Sequence, residues 1–376
     1  MKNENPIVIS GSGLWTPEYT ISNDELVDAY NRYAEQYNQD NTDAIASGEL
    51  TEKPLSSAEF ISKASGIQSR YVYRKEGILD INRMRPNIES RGRDELSHQA
   101  EMAVNAAKIA MQDAHKTAKD IDAVIVSCAY TQRAYPAIAI EAQHALGING
   151  FGFDMLVACS AGTFALQRAY EMVSANTAKC VLVINPELAS PQVNYCNRDS
   201  HFIFGDVAMA TIIESSDTAT SEHCYAILGT KAVTSFSNNI RSDFSYLSRA
   251  DDTDPFAEDR LFHQEGRKVF KEVCPMAAEH ITSQLSALNI DNANVKRWWL
   301  HQANINMNQL IAKKLIGRVP HENEAPIVLD RFANTASAGS LIAFNQHNKD
   351  LQSGDLGLLC SFGAGYSIGS LVLKKC

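Results

Sequence analysis

The sequence lacks the cysteine patterns that hold small secreted domains or zinc sites together. Its eight cysteines are scattered along 376 residues, and none forms a CxxC pair or joins histidines at ligand spacing. This argues against a disulfide framework and against a Cys/His zinc centre. We therefore predict reduced thiols, no metal and no cofactor.

Long apolar runs are lacking as well. Near the start only the short stretch Ile7–Ile9 is continuously apolar, which is too little for the core of a signal peptide. No later stretch approaches the roughly 18 apolar residues of a membrane span. We therefore expect a cytoplasmic protein without a membrane span.

The composition is that of an acidic globular chain. It has 44 acidic against 34 basic residues and a formal net charge of −10, which disfavours nucleic acid as a general partner. With 45% hydrophobic and 21% charged residues, a chain of this length can bury one large core or two fused ones.

Strand-like apolar runs alternate with helical periods, which predicts an α/β fold. The strands predicted in the first half are Ile7–Gly13, Ala123–Ala129, Phe153–Ala158, Cys180–Asn185 and Ala208–Glu214, with helices at Leu96–His115 and Thr163–Ala175. Those predicted in the second half are Ala226–Val233, Arg297–Leu300, Gly357–Ser361 and Ser367–Lys374, with helices near Arg260–Leu288 and from Asn306.

The second half repeats the first in outline. We therefore predict two similar α/β halves, 1–215 and 223–376, that form one body with buried sheets. The stretch 30–57 is polar and closed by Pro54, so we predict an inserted helix or a flexible excursion there.

Cys159 lies where a predicted strand runs through small residues into a helix. At a helix N-terminus, unpaired backbone N–H groups and the helix dipole favour a thiolate, so the pKa of this thiol is expected to be lowered. Taken alone, the position fits either a nucleophile or an inert buried cysteine.

Two polar residues lie at similar junctions in the second half. His301 follows the apolar run Arg297–Leu300 where the chain leaves a strand, and Asn334 lies among small residues before a helix. Such positions present functional groups in α/β folds. Each residue also has an ordinary structural interpretation, as a satisfied histidine and as a turn or N-cap asparagine.

Together these segments resemble the β-ketoacyl-acyl-carrier-protein synthase III family of the thiolase superfamily, in its long-chain branch. The likeness covers nearly the whole chain. It rests on Ala158-Cys159, Phe204-Gly205-Asp206, His301-Gln302-Ala303-Asn304, Asp330-Arg331-Phe332 with Asn334-Thr335, and Phe362-Gly363-Ala364-Gly365-Tyr366. The resemblance implies a thiolase fold, with the two halves forming a five-layered αβαβα body.

The resemblance also implies an acyltransferase mechanism. Cys159 would take an acyl group from a thioester, with the oxyanion held by the backbone N–H groups of Cys159 and Ala364. His301 and Asn334 would then donate hydrogen bonds to the enolate formed when a malonyl-carrier thioester loses carbon dioxide. Attack of this carbanion on the acyl group completes a decarboxylative Claisen condensation in fatty acid or related lipid or polyketide biosynthesis.

Further expectations concern the surroundings of this site. Tyr135, Phe204 and Phe60 are expected at the substrate pocket, and Tyr135 is expected to reach across a homodimer interface. Lys271, Lys313 and Lys314 are expected to dock an acidic acyl carrier protein. Acyl-coenzyme A or acyl-carrier thioesters and malonyl-carrier thioesters are the implied substrates.

Departures from the family pattern leave some points open. Ala64 stands where housekeeping members have an arginine that helps to clamp coenzyme A, so we expect weaker recognition of coenzyme A as primer carrier. Asn306 replaces an arginine of the carrier-protein docking patch. One alternative is a dialkylresorcinol-type ketosynthase that joins two acyl thioesters. A more remote alternative is a non-catalytic acyl-binding paralogue. Non-decarboxylative relatives use a glutamate that Ala129–Pro136 does not contain.

Overall fold

The computed structural model of the chain describes residues 5–250, 252–254 and 257–376. Thirteen strands are described in these ranges, in chain order β1 Ile7–Trp15, β2 Tyr19–Ser22, β3 Ser69–Val72, β4 Ala123–Cys128, β5 Phe151–Leu156, β6 Cys180–Glu187, β7 Val207–Ser215, β8 Tyr225–Ser237, β9 Ile240–Arg241, β10 His263–Gln264, β11 Val295–Leu300, β12 Leu356–Gly363 and β13 Gly365–Lys375.

The α-helices described in the same ranges are α1 Asn23–Asp40, α2 Thr42–Ala46, α3 Ala58–Ser65, α4 His98–Asp113, α5 Ile138–Leu146, α6 Ala161–Ser174, α7 Gly266–Ala287, α8 Ile305–Ile316, α9 Leu329–Phe332 and α10 Gly339–Gln346. Short 3-10 turns precede α6 and α10, at Ala158–Ser160 and Ala336–Ala338. The first of these turns carries Cys159, and the second follows Asn334 by two residues.

Nine strands form one mixed sheet in the order β11-β12-β13-β8-β1-β7-β6-β4-β5. The first half supplies β5-β4-β6-β7-β1 and the second supplies β11-β12-β13-β8, and the two meet in a short β1–β8 pairing. The order β4-β6-β7-β1 corresponds strand for strand to β11-β12-β13-β8, so the halves repeat one topology. The first half has one strand more, β5, which pairs with β4 alone and forms an edge.

Helices lie on both sides of each half. Helix α6 lies between the halves, because it contacts β4, β6 and β7 as well as β8, β12 and β13. Helix α10 packs beside it against β1, β11 and β12. Helices α4 and α5 cover the first half from outside, while α7 covers the second half and carries α8. This alternation gives the five layers expected of the fold.

Most of the strands and helices predicted from the sequence are confirmed, with bounds that differ by a few residues. The start of the helix predicted at Arg260 is wrong, because α7 begins at Gly266. The preceding residues instead form β10, which pairs with β9. The ring of Phe262 packs on that of Phe204, with 4.6 Å between the ring centroids. The strands β2 and β3 were not predicted.

The stretch 30–57 contains the second half of α1, α2 and a returning chain that packs on α1. Helix α1 begins with a capping box between Ser22 and Glu25. Asn31 and Asn38 then bind the returning chain, since each side chain pairs with both backbone groups of one residue, Ser56 and Lys53 respectively. Of the two predicted alternatives, the structure has a helix rather than a flexible excursion.

Candidate active site

Cys159 lies on the turn between β5 and α6. The turn is tight, because Ala158 has a positive φ of 46°, which is unfavourable for a residue with a side chain. Ser160 anchors it to β13: its hydroxyl donates to the Ser367 carbonyl at 2.8 Å, and the two hydroxyl oxygens are 3.0 Å apart. The sulfur is thus fixed between the two halves of the molecule.

The end of β12 closes directly over this cysteine. A methyl group on Gly363 would come within 2.5 Å of Cys159 Cβ and 3.2 Å of its Sγ, so only glycine permits this approach. The backbone N–H groups of Cys159 and Ala364 donate toward Sγ. Two convergent N–H groups beside a nucleophile can also bind the oxygen of an acyl group that is attached there.

The thiol of Cys159 differs from the expectation. Burial, and secondly the charge of Glu187, raises its pKa to about 12, although the two N–H groups act in the opposite direction. The expectation of a lowered pKa at the helix N-terminus is therefore wrong, because desolvation of the thiolate outweighs the donors. The resting group is a neutral thiol.

His301 follows β11 and is buried, with its ring edge-to-face against Phe362 at 5.1 Å between centroids. Burial lowers its pKa to about 3, so the imidazole is neutral. Nδ1 is fully buried and has no hydrogen-bond partner among the described residues. A neutral ring without an acceptor at Nδ1 favours the proton on Nε2, which makes His301 a hydrogen-bond donor.

Asn334 lies in the segment that links α9 to α10. Its backbone pairs with the first half, because its N–H donates to the Ile203 carbonyl at 2.9 Å and its carbonyl accepts from the N–H of Gly205 at 3.1 Å. Its side-chain Oδ1 accepts the N–H of Ala336 at 2.9 Å. This bond fixes the amide and leaves Nδ2 as the group that can donate to a ligand.

Gln302 and Asn304, from the same phrase as His301, have structural roles. Gln302 is fully buried, donates to the Leu300 carbonyl at 2.9 Å and accepts from the N–H of Val328 at 3.0 Å. It thereby holds the end of β11 against the chain that leads to Asn334. Asn304 caps α8 and donates to the Ala64 carbonyl at 2.7 Å.

Neighbouring contacts bring the three candidate catalytic residues to one place. Phe362 packs on His301, and the next residue, Gly363, lies against Cys159. A methyl group on Gly162, at the start of α6, would come within 2.7 Å of the Ser337 carbonyl, so the turn after Asn334 packs on the helix after Cys159. A thiol, a neutral imidazole and an amide donor therefore converge at the interface of the halves.

A buried carboxyl group beside this site was not identified from the sequence. Glu187 ends β6, has no exposed surface and accepts hydrogen bonds from Ala129 and Ser337. Burial raises its pKa to about 7. The sequence signal was weak, because a glutamate at the end of an apolar strand gives no sign of the partners that it meets in the fold.

The described residues include an open pocket of about 340 Å³ next to the His301 phrase, lined by Ala64, Gly266, Arg267, Phe270, Lys271, Asn304 and Asn306. Lys271, one of the residues predicted to dock a carrier protein, lines this pocket, and Arg267 lines it from the preceding turn of α7. Lys313 and Lys314 are exposed in the last turn of α8. They lie about 10 Å along the helix from Asn306, outside the pocket lining.

The three residues predicted for the substrate pocket have different surroundings. Phe204 is buried and forms an isolated bridge with Asn334, so it borders the site. The ring of Phe60 is covered by the Arg198 guanidinium, whose carbon lies 3.7 Å from the ring centroid. Tyr135 is 86% exposed and precedes α5.

Residues 5–250, 252–254 and 257–376 contain no cluster of three or more His, Cys, Asp or Glu side chains able to hold a metal ion. No helix in those ranges combines the length and the apolar character that crossing a membrane requires.

Family models match two parts of the chain. Residues 153–232, which include Cys159, match 3-oxoacyl-[acyl-carrier-protein] synthase III. Residues 285–375, which include His301 and Asn334, match the C-terminal part of the same family. The first match lies mostly in the first half and ends in β8, the second lies in the second half, and together they contain the three converging residues.

Curated relatives cover most of the chain. A β-ketodecanoyl-[acyl-carrier-protein] synthase of Pseudomonas aeruginosa is 54% identical over 93% of this chain and 100% of its own. A β-ketoacyl-[acyl-carrier-protein] synthase III of Bartonella henselae is 30% identical over 73% of this chain and 83% of its own.

Solved structures share the fold. The crystal structure of a 3-oxoacyl-[acyl-carrier-protein] synthase III from Aquifex aeolicus superposes with a TM-score of 0.75. It covers 98% of this chain and 99% of its own, at 23% identity. The predicted thiolase-type α/β fold is thereby confirmed.

Proposed function

The chain belongs to the 3-oxoacyl-[acyl-carrier-protein] synthase III family, and we propose that Cys159, His301 and Asn334 carry out its condensation on a medium-chain acyl primer. The observation that carries the proposal is their convergence between the halves, with the thiol under two N–H groups and two neutral donors beside it. The enzyme is a condensing acyltransferase of the synthase III type.

The first half-reaction is acyl transfer. The sulfur of Cys159 attacks the carbonyl carbon of an acyl thioester, a new C–S bond forms, and the carrier leaves as a thiol with the proton of Cys159. The N–H groups of Cys159 and Ala364 stabilise the oxyanion of the tetrahedral intermediate. Because the resting thiol is neutral, its proton must leave during this step.

The second half-reaction is decarboxylative condensation. The malonyl-carrier thioester loses carbon dioxide, and the electron pair of the broken C–C bond forms an enolate. His301 Nε2 and Asn334 Nδ2 donate to the enolate oxygen. Both donors are neutral, so they stabilise the developing charge without giving up a proton. The carbanion then attacks the acyl carbonyl, and Cys159 leaves as a thiolate.

The name of the P. aeruginosa relative supports a medium-chain product. That protein is named for a β-ketodecanoyl product, and condensation with a malonyl unit lengthens a primer by two carbons. We propose an octanoyl primer for this chain. The test is a panel of acyl thioesters of increasing length with malonyl-carrier thioester: octanoyl should give the highest kcat/KM, with β-ketodecanoyl-carrier as the product. A clear preference for acetyl would contradict the chain length.

We propose that the carrier protein docks at the pocket beside Arg267 and Lys271, where an acidic partner meets two exposed cations. The carrier-bound substrates also support a cytoplasmic location. Docking by charge weakens with ionic strength, because salt screens exposed charges. Arg267→Glu/Lys271→Glu should therefore raise KM for malonyl-carrier thioester about tenfold at low salt and less at high salt.

Acyl loading from an uncharged N-acetylcysteamine thioester serves as the internal control and should be unchanged in this variant. Lys313→Glu/Lys314→Glu reverses two charges farther along α8 and should raise KM less. An unchanged KM in the Arg267/Lys271 variant at low salt would show that the carrier docks elsewhere.

We propose a symmetric homodimer formed through the edge strand β5. This strand has no neighbour on its outer side within the described chain, and it exposes Phe151, Phe153 and Leu156. An exposed apolar edge pairs readily with a second copy, and a two-fold axis would join the two sheets. Tyr135 lies on the same rim, because Asp154 of β5 accepts the first N–H groups of α5.

The dimer is tested by Phe153→Glu/Leu156→Glu, which places charges in the proposed interface. We expect monomers in sedimentation velocity at micromolar concentration and a large loss of activity. Val319→Glu, a charge at a more exposed apolar residue outside β5, should leave a dimer. A wild-type protein that sediments as a fully active monomer would contradict the proposal.

A further inference from the structure

Glu187 is buried, and the donors that bind it among the described residues are all neutral. Its carboxylate accepts the Ala129 N–H at 3.1 and 3.2 Å, the Ser337 N–H at 3.1 Å and the Ser337 hydroxyl. None of these donors is a cation. A buried carboxylate without a charged partner is unusual, because desolvation is then offset by hydrogen bonds alone.

These bonds connect the two halves at the active site. Ala129 follows β4 of the first half, whereas Ser337 belongs to the turn that follows Asn334 in the second half. Successive N–H groups of this turn donate to different acceptors: that of Ala336 to the Asn334 side chain, and that of Ser337 to Glu187. The orientation of the Asn334 amide therefore depends on where Glu187 holds the turn.

The backbone around Asn334 needs such a restraint. Ala333 and Ala336 both have positive φ, 56° and 46°, which side chains rarely adopt. Conformations of this kind persist only where the surrounding structure fixes them. The bonds from Glu187 to Ser337 supply that restraint immediately after Ala336.

We infer that Glu187 is a positioning residue for the condensation step, whose carboxylate holds the turn at 336–338 so that the Asn334 amide points at the enolate. The inference rests on the proposed function. Glu187 acts on condensation through Asn334, whereas acyl transfer depends on Cys159 and its two N–H donors.

The charge of Glu187 has opposite consequences for the two half-reactions. The same carboxylate that orients Asn334 raises the pKa of Cys159. Its other titratable neighbours are Cys128, Tyr130 and Asp206, two groups that are neutral near pH 7 and a second carboxyl. Removing the charge should therefore ease loss of the Cys159 proton while it weakens the hold on Asn334.

The ionisation of Glu187 also gives a pH signature. Burial raises the pKa of this carboxyl from its ordinary range to about 7. Below that pH the carboxyl group is protonated. Its O–H group then points at the N–H donors, and the protonated oxygen no longer accepts their hydrogen bonds. Condensation should therefore fall as pH drops through about 7. His301, with a pKa of about 3, does not titrate in this range.

The experiment measures the two half-reactions separately in wild type, Glu187→Gln and Glu187→Asp. Acyl transfer to Cys159 is followed by intact mass with octanoyl N-acetylcysteamine thioester, and condensation by chasing the acyl-enzyme with malonyl-carrier thioester. For Glu187→Gln we expect condensation to slow by about 10–100-fold, as expected for a misplaced donor, with acyl transfer at pH 7 equal or faster. The acid limb of condensation should disappear. Glu187→Asp retains the carboxylate, so it should keep the fall of condensation at acid pH and should load Cys159 no faster than wild type.

Ser337→Ala removes one donor to the carboxylate and should slow condensation less; combined with Glu187→Gln, its effect should not add, since the two share one contact. Equal losses of acyl transfer and condensation in Glu187→Gln would overturn the inference. If that variant does not fold, the pH profile of the wild type decides. A wild-type condensation rate that does not change between about pH 5.5 and about pH 8.5 would overturn the inference. A wild type that neither loads nor condenses would contradict the proposed function instead.

Discussion

Replacing His301 or Asn334 by alanine should stop malonyl decarboxylation and leave acyl transfer to Cys159 measurable. Both side chains donate from neutral groups, and neither makes a hydrogen bond to the Cys159 turn. Loss of one such donor typically slows the step that it serves by about 10²–10³-fold. Acyl transfer depends on the N–H groups of Cys159 and Ala364, which these changes retain.

The measurement follows release of carbon dioxide from malonyl-carrier thioester and, separately, the mass of the acyl-enzyme. His280→Ala is a matched control, because His280 is also a buried, neutral histidine, bonded to Ser370 in the second half. It should change stability without changing the ratio of the two half-reactions. Acyl transfer and decarboxylation that fall equally in both variants would show that the donors serve the first step too.

Cys159→Ala should have the complementary effect. The variant has no nucleophile to carry the acyl group, so condensation should fall by roughly 10⁴–10⁶-fold, as for other enzymes whose nucleophile is removed. His301 and Asn334 remain in place, so slow decarboxylation of the malonyl thioester without a condensation product should persist.

Cys180→Ala is the control for this experiment, because Cys180 is also a buried free thiol. It lies at the start of β6, whereas Cys159 follows the end of β5, so the two thiols lie at opposite ends of the parallel strands. It should keep full condensation. A Cys159→Ala variant that still forms the condensation product at the wild-type rate would remove the cysteine from the mechanism.

Much of the fold could be predicted because its signals are local. The strands β4 and β6 are buried on both faces, and their continuous apolar runs at 123–126 and 180–184 therefore predict buried strands. The junctions at Cys159, His301 and Asn334 could be recognised because each lies where a strand or turn passes into a helix. The topology then brings these distant junctions together.

What could not be predicted depends on contacts between distant residues. The pKa of Cys159 is set by burial and by Glu187, neither of which is visible in the local sequence. Glu187 itself becomes informative only once Ser337 is placed beside it. Similarly, Arg267 and Lys271 lie one turn apart on α7, but only the tertiary fold places Ala64 and Asn304 beside them at one pocket.

The decisive prediction for the mechanism is that an acyl group held on Cys159 is the direct precursor of the condensation product. It is tested by loading the wild-type protein with an octanoyl thioester, removing the donor, locating the acyl group by peptide mass and adding malonyl-carrier thioester. We predict octanoyl on Cys159, which then disappears as β-ketodecanoyl-carrier and carbon dioxide form in equal amounts. An acyl group on another residue, or one that stays on Cys159 while product accumulates, would contradict the account.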